Sequence, residues 1–561
     1  MWVRMSWNRS ISHRTVLWLF AAICVVSGIG GCAFLRGYAS GHSESLNAYD
    51  LATLRRDDVG AVRFVFDDFG GLDTDTLKTN AVPWKLVSTA LVLRRWPDLP
   101  PSREHLREVL QGYGFIFPHS LKNWPLGQVP QFDLPLGLVN GQIRRSLPRV
   151  QLEGANLGCA SCHAGVTYDS AGQPQPDAWL GLPNTSLDLD AYVDAVFSSL
   201  RIAAPQRERT LAAVKVLYPE TTPQEMATLR RFVWPKLVKR VTEAGNAGGY
   251  GLPFRNGSPG ATNGVAALKF QLSLLHDDAG FDAAVSIPDL GYQRLRSALL
   301  VDGVYTHRGA TRFAPSQSLD RASTQRVADV VAFFTVPTMG LRPQRAEAAI
   351  APVDDVMQFL AGYEAPAFPG TIDAAAATRG ASLYASACAS CHGHYDDHLP
   401  RPQLIEFPNR LSPLAEIGTD PYRTQAIDAP LVAAVRASRM GGYIDASFTG
   451  GYVAPSLSGV WATAPYLHNG SVPTLWHLMH PRARPVRFRV GGHALDFLTV
   501  GIAGQLEANG DWDYAAGYRP WSQPRLYDTT APGHSNRGHE REFDGLSEQD
   551  KRDLVEYLKR L

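Results

Sequence analysis

The sequence predicts a mostly α fold of two domains with long loops and few short strands, and three observations lead there. The chain has 561 residues, too many for one small core, so about two to four domains are expected, each able to bury its own apolar interior without a cofactor. Its 39 prolines and 50 glycines favour short helices joined by loops over a regular bundle or sheet. Finally, the pentapeptide Cys-Ala-Ser-Cys-His occurs twice, at 159–163 and 388–392. Composition is otherwise ordinary, 45% hydrophobic with 54 basic and 53 acidic side chains and a net charge of +1, which leaves no electrostatic case for a nucleic-acid partner.

In chain order, residues 1–32 read as an export signal of lipoprotein type. Arg4, Arg9 and Arg14 precede an apolar run, Val16 to Ile29, that is short for a membrane span. The run ends Ile29-Gly30-Gly31-Cys32, which resembles a lipobox and makes Cys32 the candidate lipidated residue. A plain cleaved signal and an uncleaved anchor helix are the alternatives. Each reading places the rest of the chain outside the cytoplasm, on the periplasmic side of a bacterial membrane or displayed on the outer surface. Residues 33–82 form a linker or anchor-proximal segment. Residues 83–371 are an N-terminal domain and 372–561 a C-terminal one, divided at the Pro/Gly stretch Ala365-Pro-Ala-Phe-Pro-Gly-Thr371.

Of six cysteines, Cys24 and Cys32 belong to the signal, and the remaining four form the two Cys-x-x-Cys pairs. Two thiols at this spacing reach the two vinyl groups of one haem, and the adjacent histidine reaches its iron. A thioredoxin-like pair does not need that histidine, and a zinc site would have to borrow ligands across most of the chain. The sequence therefore predicts two covalently bound c-type haems, on Cys159 and Cys162 with His163 as iron ligand, and on Cys388 and Cys391 with His392. Helix formers over Ala374 to Ala387 lead into the second motif. At the C-terminus Ser547 caps a helix whose apolar face is Leu554, Val555, Tyr557, Leu558 and Leu561.

Function depends on the sixth iron position, which is filled in electron-transfer haems and open in catalytic ones. After His163 the next histidine is His276 and the only methionine between them is Met226, which favours the first haem as the open one. The second haem has many candidates: His394, His398, Met440, His468, His477, Met479, His480, His493, His534 and His539. Met440, before Gly441 and Gly442, suits a methionine ligand. Trp179, Trp461 and Phe270 are candidates to line or bridge the haems, with a plain core role as the alternative.

Residues 454–475 read APSLSGVWATAPYLHNGSVPTL, and their centre, Thr463-Ala-Pro-Tyr-Leu-His468-Asn-Gly470-Ser471, resembles a signature of the bacterial di-haem cytochrome c peroxidase superfamily. Phe132-Asp-Leu-Pro-Leu-Gly-Leu-Val, Asn156-Leu-Gly-Cys, Trp179-Leu-Gly-Leu-Pro-Asn-Thr and Pro532-Gly-His-Ser-Asn-Arg-Gly-His539 are similar to the di-haem rubber oxygenase-like branch, so that the likeness runs from about residue 85 to the C-terminus. The resemblance implies two cytochrome c-like haem domains. It implies an N-terminal haem whose open face activates dioxygen or hydrogen peroxide, and a C-terminal electron-transfer haem held by His392 and His539, with Met440 as the alternative to His539. Tyr466 and His468 become candidate catalytic residues beside Trp179 and Phe270. Partners would be the peroxide or dioxygen, an apolar organic substrate or a small periplasmic electron donor, and a membrane through the lipid on Cys32. The rival from another class is a non-catalytic electron carrier with both haems six-coordinate, drawing on Met226 or His276.

Overall fold

The computed structural model describes residues 39–146, 148–246, 252–275, 283–316, 322–398 and 401–561; the signal and its Cys32, and His276, lie outside them. Helix takes 40% and strand 16%, so the fold is mixed rather than mostly α. The reason is local. Partly alternating burial over Leu138–Arg145 (β1) and a continuous buried run from Leu152 to Asn156 within Val150–Leu157 (β2) favour a paired ribbon, and the two strands pair antiparallel along their whole length. Among the described residues, seven further small sheets, most of two strands, tie loops together. No helix among the described residues is long and apolar enough to cross a membrane.

Within residues 39–82, the stretch from Asp58 onward is built largely into the interior. Helix α1 (Arg56–Phe66) buries Ala61, Val62, Phe64 and Val65 against α2 (Ile350–Ala361). The two approach so closely that a Cβ on Gly60 would meet the Asp355 carbonyl oxygen at 2.1 Å. Arg63 bridges to Asp355 at 3.1 Å across the same seam. Residues 426–446 also join this core, with Leu431, Val435 and Met440 buried in it. The chain thus returns from beyond the second motif to complete the core around the first.

The second motif is presented by a helix pair that the sequence predicts. Helix α3 (Ala374–Ala387) starts where Asp373 accepts the Ala375 and Ala376 amides, and it ends at Cys388. It packs on α4 (Glu548–Arg560), which opens with a reciprocal capping box between Ser547 and Asp550. Leu554, Val555, Tyr557, Leu558 and Leu561 are all buried. Arg379 grips Asp553 with two bonds of 2.7 and 2.8 Å, and Tyr384 meets Tyr557 at 5.2 Å.

A buried ion pair braces β2 from behind. Lys85 Nζ lies 2.7 Å from Glu225 Oε2, the two side chains being 4% and 1% exposed, and Glu225 Oε1 accepts the Glu153 amide of β2 at 2.8 Å. Removing Glu225 leaves Lys85 with Glu153 at 3.4 Å and the exposed Glu220 at 3.8 Å as its counterions, and strands the Glu153 amide in low dielectric. Glu225→Ala is expected to cost about 3 kcal/mol of stability, read as a lower urea midpoint at unchanged slope.

Candidate haem site

Both Cys-x-x-Cys-His motifs fold as a single helical turn. Gly158 and Cys388 are the caps, and the histidines lie at or just past the C-terminal ends. The turn points both cysteines and the following ring into one shared space, a cavity of about 1040 Å³ lined by Cys159, Cys162, His163, Cys388, Cys391 and His392. Its wall is largely apolar, with Val196, Leu268, Phe333, Phe334 and Leu360 among the lining side chains. Burial pushes the thiols of Cys159, Cys162 and Cys388 up to about 12. A thioredoxin-like pair needs the opposite, a stabilised thiolate.

Both histidines are held the same way. His163 Nδ1 lies 3.1 Å from the Pro288 carbonyl oxygen and His392 Nδ1 lies 2.8 Å from that of Pro455. A ring that donates Nδ1–H to a carbonyl is fixed in the tautomer whose Nε2 lone pair is free for a metal, and the bond raises its basicity. Burial keeps both rings neutral, with pKa values lowered to about 4. The Pro288 anchor is itself braced. Asp289, raised by burial to about 7, accepts the Tyr363 hydroxyl at 2.5 Å and the Gly291 amide at 2.7 Å.

Opposite His392 stands His539, with ring centroids 6.2 Å apart. That gap fits one metal between two imidazoles, two bonds of about 2 Å each plus the ring radius on either side. His539 sits at φ +55°, a left-handed backbone that a side chain tolerates only where the surroundings enforce it. Here they do. Asn469 Nδ2 donates to the carbonyls of Gly533 and Ser535 at 3.0 and 3.1 Å, and the Ser471 hydroxyl donates to Ser535 at 3.0 Å. Arg484 bonds the carbonyls of Asn536 and Gly538. The His539 amide donates to the Ile417 carbonyl at 3.2 Å. Unlike the other two rings, His539 buries its Nδ1 without a protein partner. His163 meets no second histidine ring among the described residues.

The other sequence candidates fall into two groups. Tyr466, His468 and Phe270 line the cavity. Tyr466 donates to the Val500 carbonyl at 3.2 Å, and His468 stacks on Tyr452 at 4.2 Å, held neutral by burial and nearby Arg423 with a pKa near 3. Phe270, 36% exposed, leans on Phe254 where the cavity nears the surface. By contrast, Met440 packs in the core around α1 and is not among the cavity-lining residues, so the structure does not bring it to His392. Trp179 and Trp461 donate their indole N–H to the carbonyls of Glu364 and Pro366 and stand outside the cavity wall. Met226 lies in a separate core. Arg296 and Arg423, which do line the cavity, were not singled out from the sequence, because an isolated arginine carries no pattern.

Comparison with known proteins adds to this geometry. Residues 451–489 match the family described as RoxA-like, cytochrome c-like. That segment contains Pro455, which anchors His392, and Asn469, Ser471 and Arg484, which brace the His539 loop. An uncharacterized protein of Sinorhizobium fredii, y4iM, is 32% identical over 244 residues, covering 36% of this chain and 52% of that protein. A second from the same organism, y4iJ, is 27% identical over 267 residues, covering 36% and 42%. The chain spans about half the length of the curated relatives it matches. The family match supports the rubber oxygenase-like branch of the resemblance and does not reach the wider peroxidase superfamily. Residues 451–489 are thus similar to a RoxA-like, cytochrome c-like domain, and a domain of that kind implies a c-type haem with its iron.

Proposed function

We propose that the protein is a di-haem c-type oxidoreductase of the rubber oxygenase type, activating dioxygen or hydrogen peroxide at an N-terminal haem on His163, with a C-terminal haem between His392 and His539 serving electron transfer. The observation that carries the reading is the asymmetry of the two sites. His392 is faced by His539 at 6.2 Å, whereas His163 is anchored in the same manner and meets no facing histidine among the described residues. Haem, when bound, supplies the iron chemistry of oxygen or peroxide activation. The chain supplies neutral, carbonyl-anchored imidazoles, a largely apolar wall that excludes water, and at Phe270 an edge near the surface. Such a wall suits an apolar organic substrate; a small periplasmic electron donor is the other partner. The proposal includes export and a lipid anchor on Cys32.

A second reading, an electron carrier with both irons closed, draws on Met339 and Met357, which also line the cavity. Titration of the fully reduced, purified protein with carbon monoxide separates the two. The oxidoreductase reading expects half of the haem absorbance to shift. No shift would mean both irons are closed and would transfer the protein to the electron carriers.

A further inference from the structure

One exposed face joins three features that the two motifs do not use. The first is charge. Leu229 to Val241 reads LRRFVWPKLVKRV, five basic residues and no acidic one in thirteen, in a chain whose net charge is only +1. Arg230 is paired with Glu208, and Lys239 lies 3.8 Å from Glu243. Arg231 and Lys236 make no ion pair among the described residues. Arg149, exposed at the adjoining end of the β1–β2 ribbon, accepts Gln224 Nε2 on its carbonyl at 2.8 Å. The second is apolar surface. A turn of π-helix, Leu229–Val233, runs into the helix Trp234–Asn246 just before Pro235, which has no N–H to give the Arg231 carbonyl. Trp234, Leu237 and Val241 are buried. The other side presents Phe232, Pro235 and Val238, three residues apart and so on one stripe, with Phe232 and Val238 each 38% exposed.

The third feature is the cavity itself. Phe232 and Lys236 are exposed and also line it, so the cavity reaches the surface on this face. Arg240 stands at the inner side of the mouth, its guanidinium 5.5 Å from the Phe197 ring and its Nη1 donating to the Lys78 carbonyl at 3.0 Å. The wall continues through Val193, Val196 and Leu200 of the helix Leu189–Ala203, in the same cavity as Cys162 and His163. An exposed apolar stripe flanked by unpaired cations is the pattern of a segment that lies in a bilayer interface, apolar side chains at the acyl boundary and cations among anionic headgroups. A partner protein with an acidic surface would satisfy the cations, but it would also cap the mouth.

We propose that this face docks on an anionic lipid bilayer and seats the cavity mouth in it, so that the apolar substrate enters from among the acyl chains rather than from water. Phe232, Pro235 and Val238 enter the interface, and Arg231, Lys236 and Arg149 meet the headgroups around them. The substrate route rests on the oxidoreductase reading above; the docking is independent of what fills the cavity. With a net charge of only +1, attraction to anionic lipid comes from this local cluster and not from the molecule as a whole.

The test uses the exported, haem-loaded protein without Cys32 and the signal before it, so that no lipid anchor contributes; every described residue is retained. It is sedimented with vesicles of phosphatidylcholine containing phosphatidylglycerol, and with vesicles of phosphatidylcholine alone. The parent should sediment with the anionic vesicles at low salt, leave them at high salt, and stay in solution with the neutral ones. R231Q combined with K236Q should weaken binding about 30-fold, at about 5-fold per cation. F232S should weaken it while leaving its salt dependence unchanged. K122Q combined with R552Q makes the same change in net charge elsewhere on the surface and should bind as the parent does. The substituted side chains are all exposed, and the visible spectrum of each variant checks its fold. A parent that ignores anionic vesicles would overturn the docking and pass the face to an acidic protein; binding unaltered by R231Q with K236Q would overturn it as well. Carbon monoxide titration of the same samples keeps the two readings apart. Vesicle binding with no reactive haem would sink the oxidoreductase reading and the substrate route with it, whereas reactive haem without vesicle binding would sink the docking alone.

Discussion

Replacing His539 by alanine is expected to turn about half of the protein's haem from low spin to high spin. A haem iron held by two imidazoles is low spin, and removing one ring leaves five ligands and a weaker field. The local structure favours a clean result. The loop that presents His539 is fixed by Asn469, Ser471, Arg484 and the Ile417 carbonyl through its backbone, so loss of the imidazole need not collapse it. The side chain makes no hydrogen bond through Nδ1, and its deletion strands no partner. Visible and electron paramagnetic resonance spectra of the oxidised protein provide the check. In the reduced variant the fraction of haem that takes carbon monoxide should rise from half to all. Unaltered low-spin bands would move the sixth ligand elsewhere, and the 6.2 Å approach of the two rings would lose its meaning as a metal clamp.

Gly380→Val is expected to be the most destabilising single change in the C-terminal helix pair. A Cβ at 380 would stand 2.0 Å from the Asp553 carbonyl oxygen and 2.9 Å from Tyr557 Cβ. Neither neighbour is a flexible tip that can swing aside. The helices would have to separate, giving up the Arg379–Asp553 fork and the packing of Leu554 and Leu558. Forced overpacking of this kind costs about 1–3 kcal/mol, and the lost contacts take the expected total to about 4 kcal/mol. Urea denaturation of the haem-loaded variant would measure it. Gly112→Ala, where a Cβ meets nothing within 4 Å, is the matched control and should leave the midpoint unchanged or raise it slightly. Equal midpoints for the two variants would show that close helix contact at Gly380 is not what holds α3 on α4.

The parts legible in the sequence are those whose chemistry is local. Cys-x-x-Cys-His carries its meaning within five residues, and α4 announces itself through Ser547, Asp550 and an apolar face repeating at helical spacing. The elements that escaped depend on distant partners. Helix α1 begins without a side-chain cap at Arg55, so nothing marks its start, and its burial is decided by α2. The ribbon of β1 and β2 contains glycine and charged residues that blur alternation. His539 illustrates the same limit from the other side. Resemblance could nominate it among many histidines, but its place opposite His392 is set by backbone bonds from Asn469, Ser471 and Arg484, which no periodicity records. Met440 had the local setting of a ligand, and the chain's return into the first core carried it away from the site.

The cavity shared by the two motifs bears on how the protein is made. Its volume of about 1040 Å³ is space that side chains of this sequence do not fill. At roughly 24 cal/mol per Å³, leaving even a third of it dry would cost on the order of 8 kcal/mol, against about 5–15 kcal/mol for the net stability of an ordinary domain. On the haem reading proposed above, part of the stability that the sequence expectation assigns to the polypeptide alone would come from the group that fills this space. On the same reading, ligation to the cysteines would be a step of folding, and a polypeptide that missed it would stay open to proteases, so that the cell's supply of porphyrin, as well as transcription, would set how many copies survive.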